Sequence, residues 1–104
     1  MKARAFDNSI GKFIGSLDKK TGPKVVRTIE LLEEYGPKLG MPHSRKVRDD
    51  IFELRIRGIQ EVRIFYVFHK DSIIFLHAFM KKSQKIPKKE LELALQRAKT
   101  LDKK

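Results

Sequence analysis

The chain contains no cysteine. Disulfides, thiolate metal sites and cysteine nucleophiles are therefore excluded, and a reducing cytoplasm is the expected compartment. No run of about 18 apolar residues is present, so no segment is expected to span a membrane. The opening residues, MKARAFDNSIGKF, lack the apolar core of a secretory signal. Phosphate-binding glycine loops, nucleophile elbows and kinase signatures are missing. His43, His69 and His77 stand at no metal-ligand spacing, so neither a metal nor a small-molecule cofactor is expected. No helix-turn-helix or basic-region pattern appears, which argues against DNA readout. Without repeats, low-complexity tracts or a linker, residues 1–104 are expected to form one domain.

Carboxylates are scarce too. Lys and Arg number 24 against 13 Asp and Glu, a formal net charge of +11. A polyanion is the natural partner, because each neutralised phosphate releases condensed counterions. A merely solvated lysine-rich surface, or an acidic protein partner, would also satisfy the charge. Hydrophobic residues make up 40% of the chain, enough for a globular core.

What the chain does have is a dense apolar stretch over residues 51–82. Residues 51–57 alternate, with Phe52, Leu54 and Ile56 on one side and Glu53, Arg55 and Arg57 on the other. That pattern predicts a half-buried strand with a charged outer face. A short connection, Gly58-Ile59-Gln60, leads to 61–69, rich in β-branched and aromatic residues. A polar break at Lys70-Asp71-Ser72 precedes a third run, 73–80, apolar apart from His77. The three runs predict an antiparallel meander whose middle strand is the most buried. Arg63 lies inside that middle strand, and an arginine there needs a reason.

The flanks read as helices. Residues 1–5 are a short strand candidate. Asp7, Asn8 or Ser9 is placed to cap a first helix, whose apolar face is Phe6, Ile10, Phe13, Ile14 and Leu17. Pro23 suits the first position of a second helix with Val25, Val26, Ile29 and Leu32 as its buried stripe, Leu31 as a further candidate for it and Tyr35 in its last turn; Gly36-Pro37 stops it. Two helices joined by a short loop predict a helical hairpin lying against the sheet. Residues 38–50 are expected to be a basic loop. Lysines crowd 81–89, Pro87 opens a last helix with Leu91, Ala94, Leu95, Ala98 and Leu101 on one face, and the tail 102–104 is expected to fray.

One constellation carries chemistry. If the charged sides of the first two meander strands face the same way, one surface gathers Glu53, Arg55, Arg63 and the Lys81-Lys82 pair. Arginine forks match phosphate oxygens and stabilise charge that develops during transesterification. Phe65 or Phe79 would offer a base a stacking face. The competing reading is cross-strand ion pairing of Arg55 and Arg63 with Glu53 and Glu61. His77 on an inner strand has a competing reading as well, that of a satisfied core histidine.

The run ELRIRGIQEVRIFYVF, followed by IIFLHAFMKKSQKIPKKELELALQRAK, resembles the RelE/HigB superfamily of bacterial toxins, in particular its phage-derived Gp49-like branch. The marks are Glu53-Leu54-Arg55, the Arg-x-x-Tyr of Arg63 and Tyr66, and the Leu-His-x-Phe-x-Lys-Lys from Leu76 to Lys82. Pro87 and the Ala94-x-x-Arg97 pattern follow. The likeness is strong over 51–98 and looser over the N-terminal helices.

The resemblance implies an α+β fold, its N-terminal helical hairpin packed on a small curved antiparallel sheet, with a C-terminal helix. It implies the toxin of a type II toxin–antitoxin pair, an endoribonuclease that cleaves mRNA on the ribosome. In such enzymes the 2′-hydroxyl of the RNA attacks the adjacent phosphate without a metal. The implied partner is a cognate antitoxin, often a helix-turn-helix protein. Arg63 matches the sheet arginine at the scissile phosphate, and Lys81 and Lys82 match the basic residues after the last strand. Glu53 stands where some relatives have lysine, so it acts either as general base or as a support for Arg63. No tyrosine follows Tyr66, which leaves His77 as the candidate for proton transfer. The expected catalytic set is Arg63, Lys82, Glu53 and His77, and the expected RNA contacts are Arg55, Arg57, Lys81, Lys85 and Lys46. The alternative function is a non-catalytic basic module that binds RNA or the ribosome.

Overall fold

A computed structural model describes residues 1–85 and 87–101. The fraying expected of 102–104 lies outside them. Strand β1 (Lys2–Ala5) is followed by helices α1 (Asn8–Gly15) and α2 (Thr21–Tyr35), then by strands β2 (Ser44–Arg48), β3 (Ile51–Ile56), β4 (Val62–His69) and β5 (Ser72–Met80), and last by helix α3 (Lys88–Leu101). The architecture is α+β, as the sequence predicts. One open five-stranded sheet has the order β1-β5-β4-β3-β2.

The meander stands as expected over β3, β4 and β5, and β4 is buried from Val62 through Val67. Lys70 and Asp71 turn the last hairpin with φ of 47° and 64°, the doubly positive geometry that matches strand twist. Two strands flank this unit. β1, expected from residues 1–5, runs parallel to β5, so the sheet is mixed rather than purely antiparallel. β2 corrects the expectation of a loop over 38–50: Ser44 to Arg48 pairs antiparallel with β3.

The helices cover both sides. α1 and α2 pack on one face against Leu54, Ile56, Ile64, Tyr66 and Phe75. α3 covers part of the other through Leu91, Ala94, Leu95 and Ala98, which meet Ile51, Phe65, Val67 and Leu76. Asp7 is the cap of α1, accepting from the Ser9 amide at 2.9 Å, and these Ser9 hydrogen bonds hold its carboxyl below the usual range. α2 starts at Thr21, two residues before Pro23, and ends where Gly36 takes φ 55°. Its buried side is Thr21, Val25, Thr28 and Leu32. Val26, expected in the buried stripe, is half exposed because it falls about a third of a turn off it, and Tyr35 in the last turn is half exposed as well.

Arg97 ties the layers together. Its guanidinium donates to the Leu76 carbonyl at 2.7 Å, approaches Asp7 at 3.4 Å and lies over the Phe6 ring. That arrangement fixes α3 to the sheet and to the start of α1. It accounts structurally for an arginine at this point of the last helix.

Candidate functional site

α3 leaves one end of its sheet face uncovered, and the charged residues collect there. Strand register sets them in rows. Arg45 pairs with Glu53, Glu53 with Phe65, and Phe65 with His77. In the next row Arg55 pairs with Arg63 and Arg63 with Phe79. Beyond the last pairs, Arg57 and Glu61 form an ion pair at 3.5 Å, and the Lys81 amide donates to the Glu61 carbonyl at 2.7 Å. Directly opposed residues share a face, so the two charged sets do face the same way.

β5 carries a register shift beside this grid. Phe65 opposes His77 while Tyr66 opposes Phe75, which leaves Leu76 as the extra residue. A bulge of this kind redirects the strand's side chains. Leu76 can thus enter the α3 core while His77 stays on the charged face.

Glu53 is the hub. It is fully buried, and its Oε1 lies 3.0 Å from Arg45 Nε and 3.8 Å from Arg55 Nε. Its Oε2 lies 3.9 Å from Arg63 Nε. The outer face of β3 is therefore not solvated, contrary to the alternating pattern's simplest meaning. A carboxylate with no exposure cannot meet a substrate hydroxyl. Glu53 holds guanidinium groups in place, and the assignment of general base does not fit its position.

Arg63 is 2% exposed. Its guanidinium donates to the Val62 carbonyl at 2.9 Å and to Glu61 at 3.0 Å. These bonds are the reason an arginine survives in the most buried strand: both terminal nitrogens find acceptors as they leave water, while Nε has only the electrostatic contact with Glu53. Ion pairing is thus realised for both Arg55 and Arg63, but of these contacts only Arg63–Glu53 crosses between strands; Arg55 meets Glu53 within β3, and Glu61 lies two residues from Arg63 along the chain. The grouping of cations is realised as well. An open hollow of about 540 Å³ is lined by Arg55, Arg57, Glu61, Arg63, Lys81 and Lys82, with Ser83 and Gln84. Arg63 forms its floor rather than its rim.

Positive charge is in excess here. Among the described residues, Arg45, Arg55, Arg57, Arg63, Lys81 and Lys82 surround two carboxylates, Glu53 and Glu61. Burial and then the Arg63 guanidinium pull the Lys81 pKa below its ordinary value, and Glu53 relieves this only in part. Burial and then Arg63 and Arg45 act likewise on Arg55. Partial burial pushes Glu61 upward, but hydrogen bonds from Arg63 and the Gly58 amide outweigh it and hold the carboxyl down. Groups crowded in this way gain from a bound anion.

His77 lies in an adjoining hollow of about 510 Å³ that shares Lys82 and Ser83 with the first. Its Nε2 is 2.8 Å from Glu90 at the start of α3, and its ring stacks on Phe79. It is therefore a satisfied, half-buried histidine at the edge of the cation cluster. Phe65 is fully buried and Phe79 is 7% exposed, so neither offers a free stacking face.

Two expected RNA contacts fall elsewhere. Lys46 opposes Phe52, whose ring packs in the α1–α2 core, so Lys46 belongs to the opposite sheet face. Lys85 is exposed beyond β5 and does not line the hollow. Arg45 was missed for the same reason that β2 was: a segment read as a loop has no side-chain parity. The alternation Ser44-Arg45-Lys46-Val47 was the available signal, with Val47 packing in the α3 core. Glu90 carried no signal beyond its place in the first turn of a helix.

Among the described residues no helix is long and apolar enough to cross a membrane, and no cluster of His, Asp and Glu has the makings of a metal site. No curated protein matches the chain. A family model does, over residues 12–99, a span that takes in all of the hollow's lining and both helical layers. The chain belongs to the family described as Phage derived protein Gp49-like (DUF891).

Proposed function

We propose that this protein is the toxin of a toxin–antitoxin pair and acts as a ribosome-dependent mRNA endoribonuclease of the RelE/HigB type. Membership of the Gp49-like family is compatible with a toxin. The observation that carries the reading is the convergence of Arg55, Arg63, Lys81 and Lys82 on one open hollow with too few carboxylates to balance them.

In this reading a backbone phosphate sits in the hollow. Lys81, Lys82 and Arg55 reach it from the rim, and Arg63 supplies fixed positive potential from below. The 2′-hydroxyl attacks the phosphorus, a P–O bond to that oxygen forms, and the bond to the 5′-oxygen breaks. The products are a 2′,3′-cyclic phosphate and a 5′-hydroxyl. Cations preorganised on a rigid sheet stabilise the extra charge of the pentacovalent state without reorganising. His77, oriented by Glu90, is the side chain available for proton transfer, and Glu53 positions the guanidinium groups. The implied partners are mRNA on the ribosome and a cognate antitoxin.

A second reading is favoured by one observation: Arg63 is nearly inaccessible, and the one carboxylate in the hollow's described lining, Glu61, is tied to Arg57 and Arg63. A basic module that binds RNA or the ribosome without cutting would need no more than the hollow. Induction in a bacterium separates the two. The nuclease reading expects growth arrest by the wild-type chain and its relief by Lys82→Ala at equal soluble expression. Unimpaired growth with the wild-type chain would favour the binding module.

A further inference from the structure

A second basic groove adjoins the hollow around the end of β3. It encloses about 270 Å³ between α2 and the sheet, and is lined by Lys24, Arg27, Thr28 and Leu31 on the helix side. Pro42, His43, Arg55, Ile56 and Arg57 form the other wall. No carboxylate lines it. Arg55 and Arg57 line both cavities and join Lys81 and Lys82 to α2, and Glu61 is the one carboxylate in the two linings.

Lys24 and Arg27 differ from the cations of the hollow in one respect. Among the described residues neither has a carboxylate within ion-pair distance, whereas Arg45, Arg55, Arg57 and Arg63 all do. Both are exposed on α2. Lys24 is also directed at the β3–β4 turn: a methyl group placed on Gly58 would come within 2.8 Å of its Nζ. Unpaired cations over an apolar floor of Leu31 and Ile56 suit a chain that alternates phosphates with flat apolar bases.

We infer that this groove is a second station for single-stranded RNA, holding the nucleotides next to the phosphate bound in the hollow. One strand spans both cavities, and Arg55 and Arg57 contact the phosphate between them. The inference rests on the RNA reading of the hollow and extends it from a single phosphate to a track.

The test compares two synthetic RNAs, a dinucleotide and a decanucleotide, on the purified wild-type chain and on Lys24→Ala/Arg27→Ala at low salt. Both substitutions replace exposed helix residues with a good helix former, so folding is preserved. The wild-type chain is expected to bind the decanucleotide more tightly than the dinucleotide. The variant is expected to lose about tenfold on the decanucleotide, with a shallower salt dependence, and nothing on the dinucleotide. Equal decanucleotide binding by both proteins would overturn the track and leave the hollow's reading intact. Failure of the wild-type chain to bind either RNA would overturn both. A variant that loses polyglutamate but keeps the decanucleotide would assign the groove to an acidic protein instead.

Discussion

Glu53 and Arg63 lie on neighbouring strands, both buried, with Glu53 Oε2 and Arg63 Nε 3.9 Å apart and neither atom hydrogen-bonded. The pair is an electrostatic contact inside a larger cluster rather than a closed bridge. Its carboxylate also serves Arg45 and Arg55. Glu53→Gln keeps the shape and removes the charge that three guanidinium groups share. Breaking such a buried set costs roughly 3–5 kcal/mol. Thermal unfolding should therefore show a large drop in Tm, and an unchanged Tm would deny Glu53 its role as the hub.

Arg63→Ala is the substitution the sequence suggests first, but it is a poor test of function. Arg63 fills a buried position and bonds to Val62 and Glu61, so its removal leaves a void, frees those acceptors and takes one of three cations from Glu53. Loss of fold and loss of activity would coincide. Lys81→Met and Lys82→Ala act at the rim instead. Each should lower RNA cleavage by about 10²–10³-fold, the usual loss for one donor to a developing oxyanion. Circular dichroism and Tm should stay near wild type.

Lys81 gives a signature in pH. Burial and Arg63 lower its pKa from 10.5, so the folded chain releases this proton before an unfolded chain does. In the interval just below 10.5 the unfolded state binds more protons, so this group's contribution to stability rises with pH. RNA affinity should fall over the same interval as the ammonium is lost. Lys81→Arg should hold its affinity to higher pH, because a guanidinium stays protonated. Parallel titration curves for the two proteins would contradict the assignment of Lys81 to the anion site.

Tyr66 belongs to the other face of the sheet, where its hydroxyl meets that of Ser44 in β2. Burial raises its pKa, and the Ser44 bond offsets this only in part. Tyr66→Phe leaves the buried Ser44 hydroxyl unpaired, at a cost of about 1–3 kcal/mol. Stability should fall while RNA binding stays unchanged. The tyrosine of the Arg-x-x-Tyr motif is thus structural, since it anchors the edge strand that carries Arg45.

The sequence made the meander legible because three apolar runs with β-branched and aromatic residues leave few other solutions. Parity put Glu53 and Arg55 on one side of β3 and Arg63 with Phe65 on one side of β4, but only the strand register joins the two sides into one face. Parity could not show depth. The charges of β3 look solvent-facing by alternation, yet Glu53 is sealed by its neighbours and by the strand that carries Arg45. β2 was illegible because glycine, proline and four cations mask a five-residue strand. Its partner, β3, supplies what its own composition lacks. Glu90 became part of the site only when α3 brought its first turn beside His77, a contact between residues 13 apart that no local pattern encodes.

The most direct measurement is primer extension on mRNA translated in the presence of the wild-type chain and of Lys81→Met. Discrete new 5′ ends with the wild-type chain, absent or strongly reduced with the variant, are the predicted result. Identical patterns for the two proteins, or no new ends from a chain that binds RNA, would contradict cleavage at the cation-lined hollow.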